Sequence, residues 1–220
     1  MSVVLFDLDG TLVDTAADLG LALNLQLQRH GKPALALAAI RPIASHGSRG
    51  LLELGFGITP ADADFEAKRI EYLDLYATVF TRQPIFLDGI SQLLTQLDAH
   101  GIKWGIVTNK PRRFAVDLIK AVQHGEQSLY QASACLVCGD DAQQPKPAPD
   151  TLLMACEQTA SVASDCIYVG DAERDIQAGR AAGMKTVVAL FGYIAVTDRP
   201  SEWGADAMID EPLALLRYLN

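Results

Sequence analysis

The chain has 220 residues, half of them hydrophobic, and a formal net charge of −9. So much apolar residue excludes disorder, and so much acid excludes a nucleic-acid partner, although a small anionic ligand fits wherever local positive charge offsets the global field. No apolar run reaches membrane-spanning length, so no membrane partner is expected.

Met1 is followed at once by an apolar run, with no basic n-region and no cleavage site, which predicts no secretory signal and a cytoplasmic location. Val3 to Phe6 reads as a strand buried on both faces, ending in Asp7, Asp9, Gly10 and Thr11. Thr15, with Asp18 three residues on, predicts a capped helix whose stripe Leu19, Leu23 and Leu27 ends at Gly31. A second helix is expected from Thr59-Pro60, carrying Phe65, Tyr72, Leu73, Tyr76, Val79 and Phe80. Between them His46-Gly47-Ser48-Arg49-Gly50 is a polar, glycine-flanked stretch, and no strand is expected from Thr15 to Gln83. Residues 15–83 therefore read as a helical insertion in a core made of residues 1–14 and 84–220.

Beyond Pro84 strands and helices alternate. Asp88 is placed to cap a helix bearing Leu93, Leu94 and Leu97; Ile102 to Val107 is a strand ending in Thr108-Asn109, and Pro111 opens the next helix. Ala134 to Val137 is a short strand, followed by a loop from Gly139 to Pro149 that holds Lys146 and by a helix from Asp150. Cys166 to Val169 is a strand ending at Gly170-Asp171, with a helix carrying Asp175 after it; Lys185 to Ala189 and Ala207 to Ile209 complete the strands. This order predicts an α/β fold with a doubly wound parallel sheet, a Rossmann-like core. Cys135 and Cys138 have the spacing of half a zinc site without a second pair, and buried apolar packing is the expected role of all four cysteines.

In such a sheet, ligands bind beyond the carboxyl ends of the strands. Asp7, Asp9, Thr108-Asn109, Lys146, Asp171 and Asp175 fall at strand ends or in the loops beyond them, and can converge. Carboxylates, one lysine and one hydroxyl suit a hard cation and a phosphate: Mg²⁺ takes carboxylate and phosphate oxygens, and Lys146 and Thr108 meet the phosphoryl oxygens. Taken singly, Lys146 between two prolines also reads as a rigid surface turn, and Gly170-Asp171 as a turn with a helix cap.

Asp7-Leu8-Asp9-Gly10-Thr11, Thr108-Asn109, Lys146-Pro147-Ala148-Pro149 and Gly170-Asp171 through Asp175 together resemble, in order, the four motifs of the haloacid dehalogenase-like hydrolase superfamily. The insertion is similar to that family's helical C1 cap. Within the superfamily the chain resembles the phosphoglycolate phosphatase group, and Gly192-Tyr193 through Trp203-Gly204-Ala205-Asp206 resembles the related N-acetylmuramic acid 6-phosphate phosphatases. The resemblance implies a phosphatase acting on a small-molecule phosphate monoester, with 2-phosphoglycolate and N-acetylmuramic acid 6-phosphate as candidates. It implies Asp7 as nucleophile, Asp9 as acid and base, and Mg²⁺ held by Asp7, the Asp9 carbonyl and Asp171. It also implies that Lys146, Thr108 and Asn109 position the phosphate, that Gly10, Thr11, Gly170 and Asp175 support the site, and that Arg49 in the cap meets the substrate.

A phosphomutase of the β-phosphoglucomutase type shares the aspartyl-phosphate step and is separated by transfer to a sugar hydroxyl instead of water. A dehalogenase does not need Asp9, and a receiver-type signalling domain is shorter and has no cap. A pseudoenzyme that only binds phosphate esters is the non-enzyme alternative, and no pattern in the chain sets an oligomeric state.

Overall fold

The computed structural model describes residues 3–81 and 85–219. Met1 and the Gln83–Pro84 boundary of the expected insertion lie outside the described residues. In chain order the strands are β1 (Val3–Phe6), β2 (Val13–Asp14), β3 (Ile85–Phe86), β4 (Lys103–Val107), β5 (Gln123–His124), β6 (Gln127–Ser128), β7 (Leu136–Val137), β8 (Cys166–Gly170), β9 (Lys185–Ala189) and β10 (Ala207–Ile209). The α-helices are α1 (Ala16–Arg29), α2 (Leu37–Ile40), α3 (Gly47–Phe56), α4 (Phe65–Val79), α5 (Ile90–Ala99), α6 (Arg112–Ala121), α7 (Leu129–Ala132), α8 (Asp150–Thr159) and α9 (Glu173–Ala181).

Six strands form one parallel sheet in the order β10-β9-β8-β1-β4-β7, as the alternating pattern predicts. All four residues of β1 are buried because both its faces are covered. Val4 and Phe6 point into the layer with Leu93, Leu94, Leu118 and Ile119 of α5 and α6. Val3 and Leu5 point the other way, against Leu152, Ala155 and Ala178 of α8 and α9. This is the period of two of a strand, read out as two cores. The chain leaves β1 for β4 and β7 on one side, then crosses to β8, β9 and β10 on the other. The resulting switch point beside β1 opens a crevice at the strands' carboxyl ends.

Helices α1, α3 and α4 pack on one another around Leu19, Leu23, Leu27, Leu51, Leu52, Tyr72 and Tyr76, and Phe114 and Tyr193 join them from the sheet side. The ribbon β2–β3 pairs the chain entering this layer with the chain leaving it. No helix among the described residues is long and apolar enough to cross a membrane. Cys135 and Cys138 flank β7; burial pushes their thiols up to about 11 and about 12, which keeps them protonated.

Several local expectations need correction. Thr15 caps nothing with its side chain. Its hydroxyl donates instead to Asp9 Oδ1 at 2.6 Å, and the first N–H groups of α1, on Thr15 and Ala16, go to the Tyr193 hydroxyl at 2.7 and 3.0 Å. Thr59 and Asp62 close a turn, so the helix begins only at Phe65, and Gly89, not Asp88, precedes α5. The polar stretch at His46 is the end of a 3-10 turn (Arg41–His46) leading into α3, which carries Arg49. The β5–β6 hairpin, α7 and the 3-10 turn Pro212–Tyr218 are additions the pattern did not signal.

Leu94 is fully buried in the layer under α5. Leu94→Ala should cost about 2–5 kcal/mol, read as a lower urea midpoint at unchanged m value. No measurable loss would contradict the packing described.

Candidate active site

The parallel register sets the positions of the site. Phe6 lies opposite Ile106 and Val169, so Asp7, Thr108 and Asp171 emerge at neighbouring levels of three adjacent strands. Backbone bonds from Asp7 N to Val169 O and from Thr108 N to Val137 O, both 2.9 Å, carry the ladder up to the reacting edge.

Lys146 comes from the long loop, yet its amine is buried at the centre. It lies 3.0 Å from Asp7 Oδ1 and 2.7 Å from Asp175 Oδ1, and donates to the Tyr168 hydroxyl at 2.6 Å and to Val107 O at 3.2 Å. Asn109 explains how a loop without regular structure delivers it. Its amide oxygen accepts from Lys146 N at 3.0 Å and its Nδ2 donates to Lys146 O at 2.8 Å. The Asn109 side chain is thus spent on pinning the lysine's backbone.

Asp7 is 4% exposed and Asp175 is fully buried. Oδ1 of each meets Lys146 as an ion partner but receives no directed hydrogen bond. Asp171 Oδ1 accepts from Thr11 Oγ1 at 3.0 Å; its Oδ2 accepts from Ser45 Oγ at 2.5 Å and from Tyr193 N at 2.9 Å. Ligand atoms of Asp7, Asp171 and Asp175 all lie within 4.8 Å of one another. Burial, then the charges of Asp7 and Asp175, push the Asp171 carboxyl up to about 7. Burial also raises Asp7, with Lys146 pulling the other way. Three buried carboxylates lie around the Lys146 amine, with the Arg174 guanidinium the second cation near them. A compact set of carboxylate oxygens fits a hard divalent cation.

Glycines shape the pocket. Gly10 has φ of +82°, and a Cβ there would sit 2.4 Å from Asp171 Oδ2. A Cβ on Gly170 would meet the Asp175 side chain at 2.5 Å, so that helix–strand approach needs glycine.

Asp9 stands apart, partly exposed, with Oδ1 held by Thr15 and by Lys110 Nζ at 2.9 Å. Lys110 is buried under Tyr76, its amine 4.8 Å from the ring centroid, and its charged form is strengthened by Asp9 against the cost of burial. Lys110 N donates to Thr108 Oγ1 at 3.1 Å, which leaves the threonine hydroxyl proton to point elsewhere. Arg174, in the first turn of α9, donates to Ser45 O, and its charge is favoured by Asp175, Asp7 and Asp171 although burial opposes it.

The structure therefore gathers Asp7, Thr108, Lys146, Asp171 and Asp175, with Asp9, Gly10, Thr11 and Gly170 around them. Arg49 is exposed on α3 and is not among the residues bordering the cavity beside Asp171. Sequence reasoning missed Lys110, Tyr168, Arg174, Tyr193 and Ser45. Lys110 had a visible signal, directly after the strand-end Thr108-Asn109, and Arg174 and Tyr193 lay inside stretches singled out for their resemblance but carried no role there.

The family model of the haloacid dehalogenase-like hydrolases matches residues 4–189. The chain belongs to that family. It is 38% identical over 223 residues to the N-acetylmuramic acid 6-phosphate phosphatase of Pseudomonas aeruginosa, covering all of this chain and 95% of that protein. It is 43% identical over 209 residues to the phosphoglycolate phosphatase of Xanthomonas campestris pv. campestris, covering 95% of this chain and 92% of that one. A crystal structure of a predicted phosphoglycolate phosphatase from Haemophilus somnus superposes with a TM-score of 0.81 at 21% identity, covering 100% and 98% of the two chains, which speaks to the fold alone.

The Asp171 carboxyl gives a stability test. Its folded pKa of about 7 lies above the ordinary value of 3.8, so the folded state holds the proton longer than the unfolded one. A raised carboxyl stabilises while protonated, and that contribution is lost as pH rises through about 7. In chelator the melting temperature should fall between about pH 4 and pH 7 and level off above it, and Asp171→Asn should flatten the fall while Mg²⁺ restores the wild type. A melting temperature rising over that range in chelator would contradict the assignment.

Proposed function

We propose that this protein is a Mg²⁺-dependent phosphatase that hydrolyses a small phosphate monoester through an aspartyl-phosphate on Asp7, in the manner of phosphoglycolate and N-acetylmuramic acid 6-phosphate phosphatases. The observation that carries the reading is the buried lysine held between Asp7 and Asp175 at the carboxyl end of the central strand. Residues 15–83 are the cap and residues 1–14 and 84–220 the catalytic core.

Asp7, the backbone carbonyl of Asp9 and Asp171 would hold the ion, which supplies charge neutralisation for the phosphoryl oxygens. Asp7 attacks phosphorus with one carboxylate oxygen, and the alcohol departs. Asp9 enters this step protonated on Oδ2, the oxygen that Thr15 and Lys110 do not bind, and gives that proton to the leaving alcohol. Asp9 then takes a proton from the water that cleaves the acyl phosphate. Lys146 offsets phosphoryl charge, and the Thr108 hydroxyl, whose oxygen already accepts from Lys110 N, donates to a phosphoryl oxygen. Helices α1, α3 and α4 over the crevice exclude bulk water.

Hydrolysis of p-nitrophenyl phosphate should require Mg²⁺. Asp7→Asn should abolish turnover while circular dichroism and the melt stay native, and Asp9→Ala should give little or no product, a loss on the order of a hundredfold or more. Wild-type rates in either variant would remove that residue from its role, and Mg²⁺-independent turnover would overturn the reading.

A further inference from the structure

Asp171, one of the three clustered carboxylates, receives hydrogen bonds from two layers of the molecule. Thr11 Oγ1 donates to its Oδ1 at 3.0 Å, and Tyr193 N donates to its Oδ2 at 2.9 Å. Both of these donors belong to the sheet side. The third donor is Ser45 Oγ, 2.5 Å from Oδ2, in the 3-10 turn Arg41–His46 between α2 and α3. We infer that Ser45 is a positioning residue for the ion: its hydroxyl fixes the Asp171 carboxylate from the helical layer, so that ion binding and docking of that layer strengthen each other. The inference rests on the Mg²⁺-dependent phosphatase reading above and deepens it.

Acceptor positions come first. A carboxylate offers about four of them, two on each oxygen. Ser45 and Tyr193 take both on Oδ2 and Thr11 takes one on Oδ1, so these bonds leave a position on Oδ1 for a cation. The last torsion of an Asp side chain is soft, and the three bonds together set the plane of this one.

The turn is also built into the helical layer. Ile40 and Ala44 are buried in the apolar cluster with Leu23 and Leu51. A Cβ on Gly50 would meet the His46 Cβ at 2.4 Å, so the turn lies directly on the first turn of α3. The Ser45 hydroxyl therefore moves with the layer. The core grips the same turn at both ends. Arg174 of α9 donates to Ser45 O, and Arg41 pairs with Asp14 and stacks on the Tyr193 ring.

Partners that orient a metal-binding side chain are worth about 10–100-fold in metal affinity. Linkage makes the effect reciprocal: the factor that the Ser45 bond adds to ion affinity, the ion returns to docking of the turn.

Calorimetric titration of the chelator-stripped protein with Mg²⁺ alone tests this without turnover. Ser45→Ala should weaken Mg²⁺ binding about tenfold or more. Ser45→Thr keeps the hydroxyl, and the cavity that Ser45 borders has room for the added methyl, so it should restore most of the affinity. Hydrogen exchange supplies a second readout, in which Mg²⁺ should slow exchange across residues 41–46 in the wild type and not in Ser45→Ala. Equal Mg²⁺ affinity in the wild type and Ser45→Ala, a Ser45→Thr variant that binds no tighter than Ser45→Ala, or equal protection of the turn in the wild type and Ser45→Ala would overturn the inference alone. A wild type that binds no Mg²⁺ would overturn the phosphatase reading and the inference with it.

Discussion

A single buried amine sets the terms for everything around it. Lys146 enters the protein from an irregular loop, and a buried ammonium costs several kcal/mol unless it is paired and fully hydrogen-bonded. Here it has Asp7 and Asp175 as ion partners and the Tyr168 hydroxyl and Val107 carbonyl as acceptors. The Tyr168 O–H donates to the same carbonyl at 2.8 Å, and burial keeps that phenol protonated. The loop's position is therefore enforced by the amine's need for partners and by Asn109 on its backbone. Two of the three clustered carboxylates are paired in this way. The third, Asp171, takes its hydrogen bonds from neutral donors, and burial with the charges of Asp7 and Asp175 holds its proton to about 7. Asp7, Asp171 and Asp175 are the cluster whose oxygens lie close enough together to hold a cation.

The same carboxylates tie the helical layer to the sheet. Ser45 binds Asp171 and Arg174 binds Ser45, while Tyr193 reaches both ways: its N–H binds Asp171 and its hydroxyl binds Asp14 at 2.8 Å. Burial works against the Asp14 charge, but hydrogen bonds from Arg41 and Tyr193 hold its carboxyl below the usual range. Arg41 also stacks 5.4 Å from the Tyr193 ring centroid. On the opposite side Lys110 is clamped between Asp9 and Tyr76. Packing of the helices over the crevice and placement of the polar groups in it are one set of contacts, so movement of the helices would change the site's electrostatics directly.

What the sequence made legible were features with short-range physical causes. The apolar run of β1 and its abrupt carboxylates, the strand–helix alternation and the strand-end residues were readable because burial period and strand ends leave local marks. Residues that depend on long-range geometry were not. Thr15 looks like a helix cap, and only the fold shows its hydroxyl claimed by Asp9 and its N–H by a tyrosine 178 positions away. Arg49, the expected cap contact, is the more conspicuous cation in sequence, yet a helix carries it outward while Ser45, four residues earlier, reaches Asp171. Asn109 sits where a phosphate donor was expected and serves the lysine's backbone instead. In each case the local pattern was sound, and the partner that decided the outcome lay elsewhere in the chain.

The central claim is that Asp7 carries the phosphoryl group, made available by the amine beside it. Acid quenching of the enzyme during turnover, followed by peptide mass spectrometry, tests it directly. The account predicts a transient phosphoryl adduct on the peptide bearing Asp7, formed and lost at rates compatible with turnover. An enzyme that turns over with no adduct there, or with the adduct on another residue, would contradict it.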